Sequence, residues 1–194
     1  MMGFLDKIFG KKKKEEILDW NIDNQEEDQS VIFVEKFKSA GGMFFYNDDE
    51  SEALQTLKNI LIVEDISEVL CLNPKLISML NVLDCNNTPI CNGKQDIAFI
   101  NCEYLVTLDG SVMVSSDQIS HLKKSDLPNK IIVWASPDQI ISSSSEGLEK
   151  IRVSKKQKLP SNITTIHGNQ VQGFSGLSTT RKLYLLLVEE SYIA

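Results

Sequence analysis

The sequence is short of the residues that most metal and redox chemistry needs. Its only histidines are His121 and His167, and its four cysteines are Cys71, Cys85, Cys91 and Cys102. No two cysteines form a C-x-x-C pair, and Cys85 and Cys91 are spaced too loosely for a zinc knuckle. Iron–sulfur spacing is also absent. The chain therefore reads as carrying no metal and no cofactor. Cys71 and Cys102 fall in apolar runs and read as small buried hydrophobes. Positive charge is scarce, with 20 Lys+Arg against 27 Asp+Glu and a net charge of -7. That argues against a general nucleic-acid binder, because counterion release needs a basic surface. No apolar run reaches the roughly 18 residues of a membrane-spanning helix. The amino terminus is not a signal peptide, since its apolar part is short and its lysines follow that part. No internal repeat is present.

What is there suffices for a core. The chain has 194 residues, 42% of them hydrophobic and 24% charged, which fits one domain and a tail. Residues 1–29 read as the tail. Phe4, Leu5, Ile8 and Phe9 share one helical face, and Lys7 with Lys11 to Lys14 adds a basic cluster. Residues 1–14 thus have the pattern of a weak membrane anchor, and equally of a solvated leader or a helix docked on the chain's own surface. The myristoylation pattern fails, because Gly3 follows a second Met. An acidic linker with Trp20 and Ile22 comes next. The expected location is cytoplasmic, with any contact at the inner face of the membrane made by residues 1–14.

Residues 30–194 read as an α/β domain. Ser30 caps a helix with Val31, Val34 and Phe37 on one face and a stop at Gly41. "MFFYN" is a strand, and "DDESEALQTLKNILIVEDI" a helix with acids in its first turn. "EVLCL" is a short strand, and Pro74 opens a further helix. This alternation predicts βαβ units and a mostly parallel sheet flanked by helices. "QDIAFINC", "YLVTLD" and "SVMVSS" follow as closely spaced strands. "NKIIVWAS" is a strand buried on both faces, and "PDQIISSSSEGLEKIRV" a crossover helix. "SNITTIHG" is a strand leading into a glycine-containing loop, and "KLYLLLVEE" is the last buried strand.

Four of these blocks, in this order, resemble the LUD domain of the lactate-utilization protein C type. "DIAFINCEYLVTLDGSVMVSS" is similar to the family's strand–turn–strand block, whose wording is close to A-I-A-E-T-G-T-L-V-L. "NKIIVWASPDQII" resembles H-I-V-V-V-x-x-D-Q-I-V. "LPSNITTIHG" resembles P-S-N-x-T-x-I-S-G, and "TTRKLYLLLVEE" the closing G-P-R-x-L-x-V-x-L-V. The resemblance implies the fold of the sugar-phosphate isomerase and CoA-transferase type. It also implies an accessory or small-carboxylate-binding role in oxidising L-lactate to pyruvate, beside iron–sulfur partner subunits. The departures mark a diverged member. Leu108-Asp109-Gly110 replaces Glu-Thr-Gly, Asn129 replaces the histidine, "DQISHLKKSDLP" replaces a Gly-Asn-x-Arg segment, and the basic-hydroxyl loop is shortened to "NQVQGFSGLSTT".

Two segments carry candidate chemistry, expected beyond the carboxyl ends of the sheet strands where open α/β sheets bind ligands. The first is Thr107, Asp109, Gly110 and Ser111. It suits an anion held by Ser111 and local N–H groups, with Asp109 as acid, base or acceptor. It equally suits an Asp-Gly β-turn. The second is His167, Gly168, Asn169 and Gln170, followed by Gly173, Gly176 and Arg181. His167 can exchange protons near neutral pH, or serve as a satisfied structural residue. Arg181 is the best anion anchor for a carboxylate or phosphate ligand, or else a surface charge. The glycines match neither a phosphate loop nor a dinucleotide motif. His121, Lys123 and Lys124 read as a solvated turn. Competing with the accessory role are an enzyme of this fold group, acting on an acyl or phosphorylated ligand through Asp109 and His167, and a membrane-recruited interaction protein.

Overall fold

The apolar runs alternate in the way a doubly covered sheet demands. In the computed structural model, residues 28–156, 158–168 and 181–190 are described. The amino-terminal anchor pattern and Asn169 to Thr180 lie outside them. Helix α1 (Gln29–Ser39) is capped by Asp28, two residues before the expected Ser30, with the Asp28 carboxylate accepting from the Ser30 N–H. Strand β1 (Met43–Asp49) leads into α2 (Glu50–Val63), β2 (Val69–Leu70), α3 (Pro74–Val82) and β3 (Asn87–Thr88). Then come β4 (Ile97–Asn101), β5 (Tyr104–Val106), β6 (Ser111–Val114) and the short α4 (Ser116–Ile119). The chain closes with β7 (Lys130–Ala135), β8 (Ile140–Ile141), α5 (Ser144–Ser154), β9 (Thr164–Ile166) and β10 (Lys182–Glu190).

Six strands in the order β1-β10-β7-β4-β2-β3 form an all-parallel sheet. Side chains of successive strand residues point to opposite faces. Ile131, Val133 and Ala135 of β7 therefore join one core with Leu183, Leu185 and Leu187 of β10, under Phe33, Val34 and Phe37 of α1. Ile132 and Trp134 join the other, with Leu57 and Leu61 of α2 and Leu76 and Leu80 of α3. The expectation of a sheet buried on both faces holds. Cys71 and Cys102 are buried as expected, and burial pushes the Cys71 thiol up to about 12.

The sequence was expected to form one sheet, but the chain builds two. A smaller sheet, β8-β5-β6-β9, lies on the α1 side. Leu105, Val112 and Val114 face the main core, while Val106 and Met113 face outward to meet Ile151 of α5. The expected crossover helix from Pro137 starts only at Ser144, because Ile140 and Ile141 pair as a strand with Leu105 and Val106. β5 and β8 start just after β4 and β7 end and run back from the carboxyl edge of the main sheet. That return path decides where the candidate site falls. Among the described residues, no helix is long and apolar enough to cross a membrane.

Candidate functional site

The loop 107–110 joins β5 to β6, with Val106 paired to Ser111 across its base. Gly110 sits at φ +66°, and its N–H donates to the Val106 carbonyl at 3.0 Å. A Cβ at this position would stand 2.5 Å from the Lys36 carbonyl carbon and the Phe37 nitrogen. Glycine thus meets two demands at once, a left-handed turn and direct backbone packing on α1. Asp109 ties the turn, its Oδ1 accepting from the Ser111 N–H at 3.1 Å and the Ser111 hydroxyl at 2.6 Å. The Asp-Gly turn is real.

The second Asp109 oxygen has another partner. His167 Nε2 lies 3.1 Å from Asp109 Oδ2, across 58 residues of sequence. The antiparallel pairing of β6 with β9 makes this possible, since Val112 pairs with Ile166 and His167 follows directly. Gly168 holds the far side. A Cβ there would approach the Ala40 carbonyl oxygen to 2.5 Å, so its backbone packs on the turn between α1 and β1. The Asp109 side chain is 45% exposed and that of His167 14%.

The electrostatics fix the tautomer. Burial pushes the Asp109 carboxyl up, but hydrogen bonds from Ser111 and His167 outweigh it and leave it below its usual value. A carboxylate only accepts, so Nε2 carries the shared hydrogen. The other ring nitrogen, Nδ1, is sealed from solvent with no partner among the described residues. It is an acceptor in the neutral ring and a donor in the cation. An imidazole aligned by a carboxylate with its second nitrogen unpaired can bind or move a proton at that atom once a ligand reaches it.

The fold has a solved counterpart. A crystal structure of a DUF162 family protein from Deinococcus radiodurans, at 1.70 Å resolution, superposes with a TM-score of 0.61 and 16% identity. The match covers 83% of this chain and 98% of that chain. The two proteins share an α/β fold. No protein-family model and no curated protein matches the sequence.

Asp109, Gly110, Ser111, His167 and Gly168 are brought together, but on the edge of the main sheet opposite to the expected one. Gly168 packs on the residues that lead into the first residue of β1, and the sheet is parallel throughout. The cluster therefore lies toward the amino ends of the strands, because β5 and β9 run back from the carboxyl edge. Thr107 does not join it. Its hydroxyl faces the Gln29 carbonyl at 3.5 Å and its N–H donates to Ile141. Asn169 lies outside the described residues.

Arg181 does something else. Its Nη2 donates to the Lys124 carbonyl at 3.0 Å, while its Nε is buried and has no acceptor among the described residues. The expected solvated turn holds for His121 and Lys123, which are exposed, and fails for Lys124, while Leu122 between them turns inward. Leu122 is 7% exposed, and Lys124 is half-buried near Arg181.

The carboxyl edge is occupied by a network that sequence reasoning missed. Glu103 accepts from Lys155 at 2.6 Å, Ser115 at 2.7 Å and Gln118 at 3.2 Å. Gln139 donates to the Cys102 and Glu103 carbonyls. Lys155 also reaches Asp117 at 2.6 Å. Nothing in the spacing of these residues marked them, since four different elements supply them.

Proposed function

We propose that this chain is a diverged LUD-type domain that binds a small carboxylate, as an accessory component in the oxidation of L-lactate to pyruvate beside iron–sulfur subunits. Three things support this. DUF162 is the LUD-domain family, and the DUF162 structure shares the fold. The four sequence blocks resemble that family in order. The carrying observation is the Asp109–His167 contact, which leaves Nδ1 buried without a partner, so that a site opening around it would offer it to the hydroxyl or carboxyl group of a 2-hydroxy or 2-keto acid. Isothermal titration of the full chain with lactate and pyruvate tests it. Heat is expected from at least one, with affinity about tenfold weaker in His167→Gln, the loss of one charge-assisted hydrogen bond. Silence from both acids sinks the proposal.

The same 3.1 Å contact favours a second reading, an enzyme of this fold group. Asp109 would hold the ring and His167 would move a proton on an acyl or phosphorylated ligand. A panel of acyl thioesters and phosphate esters decides it. Turnover that disappears in Asp109→Asn supports catalysis, and turnover unchanged in that variant removes it.

A further inference from the structure

Arg181 and Lys182 are consecutive, and strand alternation sends them to opposite faces of the main sheet. Lys182 reaches Glu64, the residue that closes α2, at 2.9 Å. Arg181 turns to the other face and binds the carbonyl of Lys124 on the connection between α4 and β7. The Arg181 guanidinium thus lies against the Lys124 backbone, and both of these residues, Arg181 and Lys124, are partly buried. Neither has a carboxylate partner among the described residues. The nearest acid in sequence, Asp126, is engaged in its own turn, its carboxylate accepting from the Lys123 N–H at 2.8 Å and the Ser125 hydroxyl at 3.0 Å. The adjoining segment 169–180 contains no Asp or Glu. The Arg181 Nε–H is sealed from solvent and unpaired among the described residues.

Such an arrangement is unfavourable alone. Burial lowers the Arg181 pKa, and burial together with the Arg181 charge lowers that of Lys124. Like charges held half-buried repel, and an unpaired buried donor is costly. A phosphate-type oxyanion resolves all of this at once. Its oxygens accept from the guanidinium fork, from the orphan Nε–H and from the lysine ammonium, and its charge matches two cations. A monocarboxylate satisfies the fork and leaves the lysine uncompensated.

We propose that Lys124 and Arg181 form a seat for a phosphate-type oxyanion, separate from the Asp109–His167 pair. The oxyanion is either free phosphate or the phosphoryl group of a small ester. The test uses the full chain with inorganic phosphate, glycerol phosphate and, as a control, acetate at equal ionic strength. Phosphate should raise the melting temperature and give binding heat, while acetate does neither. Whichever of the two phosphates binds more tightly identifies the source. Lys124→Gln keeps the backbone carbonyl that Arg181 uses, so folding is preserved. It should weaken phosphate binding about tenfold and, without phosphate, melt no lower than the parent. Arg181→Lys keeps the charge, loses the fork and should also weaken binding. His167→Gln should bind phosphate like the parent. Three results overturn the proposal: no response to either phosphate, equal phosphate affinity in Lys124→Gln, or a lower melting temperature for Lys124→Gln without ligand. Loss of phosphate binding in His167→Gln overturns the separation of the two sites.

Discussion

Glu64 and Arg181 stand at the same edge of the main sheet, on opposite faces, and are treated in opposite ways. Glu64 is 10% exposed and accepts from Lys182, Lys130 and the Tyr184 hydroxyl. Hydrogen bonds from Tyr184 and Lys182 lead in bringing its carboxyl down to about 2. Arg181 and Lys124, on the other face, receive no carboxylate among the described residues. The first charge is fully compensated and serves the fold, joining the end of α2 to β7 and β10. The second is left uncompensated, and so is the Nδ1 of His167. Buried polar groups are normally paired, so the unpaired ones carry the functional information.

The largest break in this comparison comes from Glu64→Gln. Two ammonium groups and a hydroxyl then lose their common carboxylate, and unfolding in urea should show a loss of about 2 kcal/mol. Acid does the same more gradually. The folded-state value of Glu64 is depressed, so its contribution is complete above its ordinary value of 4.5 and is lost as pH falls toward about 2. Thermal melts across that window should fall more steeply in the parent than in Glu64→Gln. Asp109→Asn should cost about 1 kcal/mol, because the turn keeps its shape while the charge-assisted bond to His167 weakens. Smallest is Lys124→Gln, which should leave stability unchanged or raise it by up to about 0.5 kcal/mol as like-charge repulsion is relieved. A destabilising Lys124→Gln would erase the contrast between the two faces.

The main sheet was legible because its strands are near-continuous apolar runs and its helices carry spaced apolar faces. The second sheet was not, because Ile140–Ile141 is a two-residue strand hidden inside a stretch with helical flanks. Its pairing with β5 is a tertiary event that no local pattern announces. Asp109 and His167 were singled out from turn chemistry and family resemblance, yet their contact depends on the β6–β9 register. Their edge of the sheet was misjudged for the same reason, as the direction of the small sheet is invisible in the sequence. Lys124 was unreadable, since a lysine in a polar "KKSD" turn looks solvated until Arg181 packs beside it. The Glu103 network failed to show for a similar reason, being assembled from residues as distant as Lys155.

The proposed carboxylate site depends most directly on the unpaired Nδ1 of His167. Heteronuclear NMR of its imidazole nitrogens, followed through a titration with lactate and pyruvate, reads that atom itself. The predicted spectrum at neutral pH shows Nε2 carrying hydrogen, and addition of one of the acids shifts the Nδ1 resonance saturably while Nε2 stays bonded to Asp109. An Nδ1 resonance that does not move with either acid would contradict the ligand site and leave the Asp109–His167 pair as a clip between two turns.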